Sequence, residues 1–331
     1  AQRLRGAGER DPGRCRRLIQ RPDDSAAVRD LPGTDGGGST SISLGRMQIR
    51  VTFASAGPIP DALVSMVPPT ARATSEETPY GRRITLLTEH PEPDLLRTAL
   101  RAVAGNVAVA VVTGPLVDTP ARLILMDVDS TLTTTEAVDL LAEHAGVGLK
   151  VAEITERAMR GELDFGASLA ERVATLRGLP ASIFDQVGPA MTLSPGAAEL
   201  VAEAKAAGAL VGVTSGGFVQ LVEPLAQRLG LDFFNANVLE TELLDDTEVL
   251  TGRVVGQVVD RDQKARDLLR FAHDNGIDPA LTVAVGDGAN DLGMFDAAGL
   301  SVAYCAKPVT AAAADVALSF PRLDAVAAFA F

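Results

Sequence analysis

Tryptophan is missing from this 331-residue chain, and aromatic residues make up only 4% of it, so its core must be built mainly from Ala, Val and Leu. There are two cysteines, Cys15 and Cys305, far apart in sequence. That excludes a disulfide framework and any zinc-ligand spacing, and it suits a reducing cytoplasm. No run of about 18 apolar residues is present, which argues against a membrane-spanning helix. The N-terminus also lacks the basic-then-apolar order of a signal peptide. Lysine is scarce: only Lys150, Lys205, Lys264 and Lys307 occur among 30 basic residues. The net charge of −13 argues against nucleic acid as the main partner. It would also repel a phosphorylated small molecule, so such a substrate needs strong local positive charge.

What is present falls into three stretches. Residues 1–46 hold nine arginines, many glycines and no hydrophobic period, and they read as a disordered tail. Residues 47–118 read as a small α/β module of order β-α-β-α-β. Its strands are MQIRVTFAS, RRITLLTE and VAVAVVTG, and its helices lie in PIPDALVSM and PDLLRTALRAVAG. In element order the module resembles an abbreviated ACT-type regulatory domain. That resemblance implies a regulatory or spacer role, with serine feedback and homodimer formation as corollaries.

Residues 119–331 alternate short apolar strands with helical stretches, which predicts a doubly wound, parallel, Rossmann-like sheet. The strands are RLILMD, then 209–214, 281–286, 301–304 and 316–320. Residues 137–190 show only helical patterns and predict a helical cap inserted after the first strand. VLETELLDDTEVLTGRVVGQVV reads as a β-hairpin closed at LDDTE.

Ligands on parallel sheets bind at the carboxyl ends of the strands. The first strand ends in Asp127-Val128-Asp129-Ser130-Thr131, the second in Thr214-Ser215-Gly216-Gly217, the third in Gly286-Asp287-Gly288-Ala289-Asn290-Asp291. Lys264 opens the helix before the third strand. Asp127, Asp129, Asp287 and Asp291 are too many anions for one small volume without a cation. Hard oxygen donors without His or Cys suit Mg²⁺. Lys264 supplies a fixed positive charge, and a glycine turn can hold phosphate oxygens. One aspartate can then attack phosphorus while another handles the proton.

DVDST, SGG, Lys264 and GDGAND resemble, as a set, the four motifs of the haloacid dehalogenase-like phosphohydrolases. The resemblance implies that Asp127 is the nucleophile and Asp129 the general acid/base, whose backbone carbonyl also touches Mg²⁺. Asp287 becomes the third metal ligand, and Asp291 and Asn290 support the metal shell and Lys264. Ser215 and Gly216 become the phosphate turn. The insertion is similar to that of the phosphoserine phosphatases. This implies that Glu136 takes the substrate ammonium, that Arg172 clamps its carboxylate, and that Met159 and Phe165 enclose it. The implied reaction is hydrolysis of O-phospho-L-serine in serine biosynthesis. The alternative is action on another phosphomonoester, or phosphoryl transfer to an alcohol such as homoserine. A signalling receiver domain would share the aspartates, metal and lysine, but the helical insertion and the paired DxD acids argue against it. His144 reads as a solvated helix residue.

Overall fold

A computed structural model describes residues 46–69 and 72–331. The reading of residues 1–45 as a disordered tail lies outside the described residues. The described residues belong to one compact unit.

The first sheet is built from β1 (Met47–Ser55), β2 (Arg72–Thr78), β3 (Gly81–His90) and β4 (Ala108–Val112), with α1 (Asp61–Val64) and α2 (Pro93–Val103) between them. Its order is β2-β3-β1-β4, with antiparallel pairing throughout. The alternation in MQIRVTFAS sends Ile49, Val51 and Phe53 to one face, where they pack on Leu63 of α1 and on Leu96 and Leu100 of α2. Leu96 and Leu100 are four residues apart, so one stripe of α2 covers the sheet. The β-α-β-α-β order expected for this module is corrected to β-α-β-β-α-β, the split β-α-β pattern. The unread strand is β2, whose sequence RATSEET is polar and exposed along nearly its whole length.

The second sheet contains β5 (Leu123–Met126), β6 (Leu210–Phe218), β7 (Phe233–Leu244), β8 (Thr247–Val255), β9 (Thr282–Gly286), β10 (Leu300–Tyr304) and β11 (Val316–Leu318). Its order is β11-β10-β9-β5-β6-β7-β8, parallel from β11 to β7. The doubly wound expectation therefore holds. The expected hairpin is formed by the second part of β7 with β8, which pair antiparallel. The first part of β7, FFNA, runs parallel to β6, an additional strand beyond those the sequence predicts.

After β5 the chain enters the cap: α3 (Ala137–His144), α4 (Gly148–Met159), α5 (Phe165–Ala174) and α6 (Ile183–Val187). Asp164 caps α5 by accepting the Ala167 N–H at 2.7 Å. The remaining helices that matter here are α7 (Ala197–Ala206), α8 (Val219–Leu229) and α9 (Arg261–Asp274), the last capped by Asp260. Among the described residues, no helix is long and apolar enough to cross a membrane.

The first sheet does not stand apart from the second. Ala54, Ala108, Ala110 and Val112, on the face away from α1 and α2, share a core with Leu116, Ile124 and Phe329.

Candidate active site

β5 lies between β6 and β9, so chain crossovers leave it in opposite directions and a crevice opens at its carboxyl end. Asp127 follows β5 directly. Its backbone N–H donates to Val285 O of β9 at 2.9 Å, which holds it in line with the sheet. The next residues form a wide turn, and Ser130 takes a left-handed φ of 58°. This turn carries Asp129 and Thr131 past the strand end.

Lys264, the fourth residue of α9, is fully buried. Its Nζ lies 2.7 Å from Asp127 Oδ2 and 2.7 Å from Asp291 Oδ1. Asp127 Oδ1 accepts the Val128 N–H at 2.7 Å, and Asp291 Oδ2 accepts the Gly288 N–H at 2.9 Å. Asp287 Oδ1 accepts the Thr131 hydroxyl at 3.1 Å, and Asp129 Oδ1 accepts the Ala137 N–H at 3.0 Å. Asp127, Asp287 and Asp291 each bring a carboxylate oxygen within 4.8 Å of the others.

One lysine does not balance this many acids. Burial, and then the Asp291 carboxylate, push Asp127 well above the usual carboxylate range, although Lys264 pulls it back. Asp129 is pushed up to about 7, by burial first and Glu136 second. Asp287 is pushed up to about 6, by burial and then Asp291. Burial on its own would lower Lys264, but Asp127 and Asp291 outweigh it and raise it. The cluster is short of positive charge, and its donors are all oxygen. A hard divalent cation fits both facts.

The SGG segment completes the crevice. Ser215 is buried, and its hydroxyl accepts the Gly217 N–H at 2.9 Å. Instead of a separate turn before a helix, the segment is the last part of β6 itself, with a register shift against β7 between Ser215 and Phe218. A Cβ added at Gly217 would stand 3.0 Å from Asp129 Oδ2 and 3.1 Å from Ser215 Oγ, so the glycine lets three site elements close up. Asn237 on β7 fixes this segment from behind. Its amide donates to Gly216 O at 2.8 Å and its carbonyl accepts the Val259 N–H at 2.9 Å.

The cap forms the other wall of a cavity of about 400 Å³. Asp127, Asp129, Gly216, Asp287 and Asn290 line it from the sheet side, Glu136, Phe165 and Arg172 from the cap side. Glu136 is exposed at the start of α3, where its carboxylate accepts the Ser130 hydroxyl at 3.3 Å. Arg172 on α5 is half-buried, and its Nε donates to Ser168 O at 3.3 Å. A Cβ on Gly216 would lie 3.1 Å from the Phe165 ring, so cap and sheet touch there. Met159 ends α4, but its side chain lies outside the described residues. His144 is exposed and plays no part.

Three residues of the site escape sequence reasoning. Thr131 and Asn237 act only through tertiary hydrogen bonds, which no spacing announces. Lys307 lines the cavity as well. Its one available signal is the scarcity of lysine, which singles it out without giving it a role.

A profile of haloacid dehalogenase-like hydrolases matches residues 124–296. A phosphoserine phosphatase of Streptomyces coelicolor is 52% identical over 237 residues, covering 71% of this chain and 57% of that one. One from Streptococcus thermophilus is 50% identical over 201 residues, covering 61% of this chain and 92% of that one. A solved structure described as a phospho-aspartyl intermediate analogue of phosphoserine phosphatase superposes with a TM-score of 0.58 at 41% identity, covering 63% of this chain and 98% of that one. The chain thus spans little more than half the length of the Streptomyces relative.

Proposed function

The chain belongs to the haloacid dehalogenase-like hydrolases, and from that premise we propose that it hydrolyses O-phospho-L-serine to L-serine and phosphate, with Mg²⁺ as its cation. One observation carries the reading. A single cavity joins Asp127, Asp129 and Asp287, with Lys264 held against Asp127 behind them, to an anionic side chain, Glu136, and a cationic one, Arg172, on the cap. These are the two charges that a zwitterionic amino acid requires of its site. The names of the relatives support the same substrate.

In this reading a carboxylate oxygen of Asp127 attacks phosphorus, and the bond from phosphorus to the serine oxygen breaks. The leaving oxygen takes the proton from Asp129, which burial raises to about 7, so that it can both hold and release a proton near neutrality. Asp129 then accepts a proton from water, which attacks the aspartyl-phosphate and releases phosphate. Lys264 holds Asp127 in place and offsets its charge. Asp127, Asp287 and the Asp129 backbone carbonyl would hold Mg²⁺, with Asp291 supporting them. The cation supplies charge neutralisation for phosphate oxygens that carboxylates alone would repel. Gly216 and Ser215 hold the phosphate, Asn290 flanks it, and Phe165 closes over the serine moiety. Arg172 grips the carboxylate with a two-pronged fork. We place the reaction in the cytoplasm and assign the first sheet a regulatory role.

The test is phosphate release from O-phospho-L-serine and a panel of other phosphomonoesters, with Mg²⁺ and with EDTA, and with homoserine as a competing acceptor. Release should be selective for phosphoserine, depend on Mg²⁺ and fall about a thousandfold or more in Asp127→Asn. Arg172→Ala should raise KM about 10- to 100-fold, the cost of one charge-assisted pair. Release from other esters but not phosphoserine would overturn the roles of Glu136 and Arg172. Loss of free phosphate to homoserine would replace hydrolysis with transfer.

A further inference from the structure

The first sheet has a second face that is only partly used as core. Register sets Arg72, Leu87, Arg50 and Val112 in one row across its four strands. The next row is Thr74, Thr85, Thr52 and Ala110, and the next is Glu76, Arg83, Ala54 and Ala108. On the β1–β4 half of this face, Ala54, Ala108, Ala110 and Val112 are apolar and pack against the second layer. The β2–β3 half is polar and opens into a cavity of about 330 Å³, a volume in the range of small-molecule sites.

Three guanidiniums, from Arg50, Arg72 and Arg83, line that cavity together with the Asp118 carboxylate and Phe331. In a chain of net charge −13 such a gathering of guanidiniums runs against the composition of the whole molecule. Arg50 is only 8% exposed. Its Nη2 donates to Phe329 O at 2.9 Å, while its Nε has no partner among the described residues. Burial, and then the Arg83 charge, lower the Arg50 pKa, and Asp118 only partly counters them. Arg83 is paired to Glu76, but that carboxylate is about half exposed, so solvent screens the pair. Guanidiniums gathered in one cavity are costly, and a bound oxyanion relieves that cost. The planar fork of Arg matches carboxylate and phosphate geometry, and Thr74 and Thr85 line the same cavity.

We propose that this cavity, which shares no lining residue with the catalytic one, is a binding site for a small molecule bearing a phosphate or carboxylate group. The inference does not depend on which ester the catalytic site cleaves. Inorganic phosphate and, separately, L-serine are titrated calorimetrically into the full chain in EDTA, where the catalytic carboxylates have no cation to draw phosphate in. One of the two should bind saturably at one site per chain. That binding should weaken about tenfold or more in Arg83→Gln and in Arg72→Gln, as loss of a charge-assisted bond requires. Both variants lie on the exposed side of the sheet and should melt within about 2 °C of the parent. Saturation by phosphate identifies a phosphate-bearing ligand, and saturation by serine a carboxylate-bearing one. Binding of neither probe, or binding unchanged in both variants, overturns the proposal.

Discussion

Lys264 is the residue on which the catalytic cluster depends most. It is fully buried between Asp127 and Asp291, at 2.7 Å from each. Removing it leaves two buried carboxylates without a counter-charge, and breaking a buried pair from one side costs about 3–5 kcal/mol. Lys264→Ala should therefore lower the unfolding free energy by that amount, read from urea titration in EDTA; a change under about 1 kcal/mol would show that the acids are already neutral there. The same shortage of positive charge predicts stabilisation by a divalent ion. Mg²⁺ at about 100 times its Kd should add about 2.7 kcal/mol, read as a rise in melting temperature. Asp287→Asn should remove most of that rise, and a rise that survives would move the cation elsewhere. Asp127, Asp129, Asp287, Asp291 and Lys264 could all be read from the sequence, because charged groups at strand ends demand a chemical reason. Asn237 and Asp267 could not. Asp267 is a fully buried acid that accepts from Thr214 at 2.8 Å and from Asn235 at 2.6 Å. It ties α9, and so Lys264, to the strands beside it. In sequence it is one more charge on a charged helix.

At the scale of elements, the β7–β8 hairpin reaches beyond its sheet to brace the cap. The Gly178 N–H donates to Leu250 O at 2.8 Å, the Leu250 N–H to Leu179 O at 2.8 Å, and the Ala181 N–H to Glu248 O at 2.8 Å. The segment so held follows α5, which carries Phe165 and Arg172. The hairpin turns on Asp245 and Asp246, with φ of 47° and 64°, in a two-residue loop. Two left-handed residues define the turn that matches strand twist, and glycine takes that conformation without steric cost. Asp246→Gly should stabilise the protein by about 0.5–1 kcal/mol, read from the denaturant midpoint. A loss of stability would mean that the aspartate side chain holds the turn. The LDDTE closure could be read because acidic residues between alternating strands mark a turn. Two other strands could not. RATSEET lacks an apolar alternation because β2 is an edge strand with both faces in solvent along most of its length. FFNA looks like the start of a loop because Asn235 and Asn237 spend their polarity on buried partners, Asp267 and Gly216, rather than on water.

The whole molecule behaves differently from the two separate modules that the sequence suggests. Residues 119–123, TPARL, hold Pro and polar residues between those modules, and the alternation of β1 reads as a sheet with one dry face. The contrary signal sits in β4, where AVAVV is apolar at every position and buried at every position. A strand that is apolar on both sides is covered on both sides. Here α2 covers one face and the second layer the other. Arginines then lock the layers. Arg50 donates to Phe329 O at 2.9 Å, Arg101 to Ala314 O at 2.7 Å and to Ala311 O, and Arg322 to Pro79 O at 2.9 Å. Neither sheet can unfold without exposing the core of the other and freeing these carbonyls. Residues 46–331 should therefore melt in one cooperative transition, with a calorimetric enthalpy equal to the van't Hoff enthalpy. Arg101→Ala removes two interlayer bonds to carbonyls and should cost about 1–3 kcal/mol. It should shift that transition downward as a whole, because the lost bonds belong to both layers at once. Two resolved transitions in the parent protein, or splitting caused by Arg101→Ala alone, would show that the layers are stable independently and that β4 buries its second face too weakly to join them.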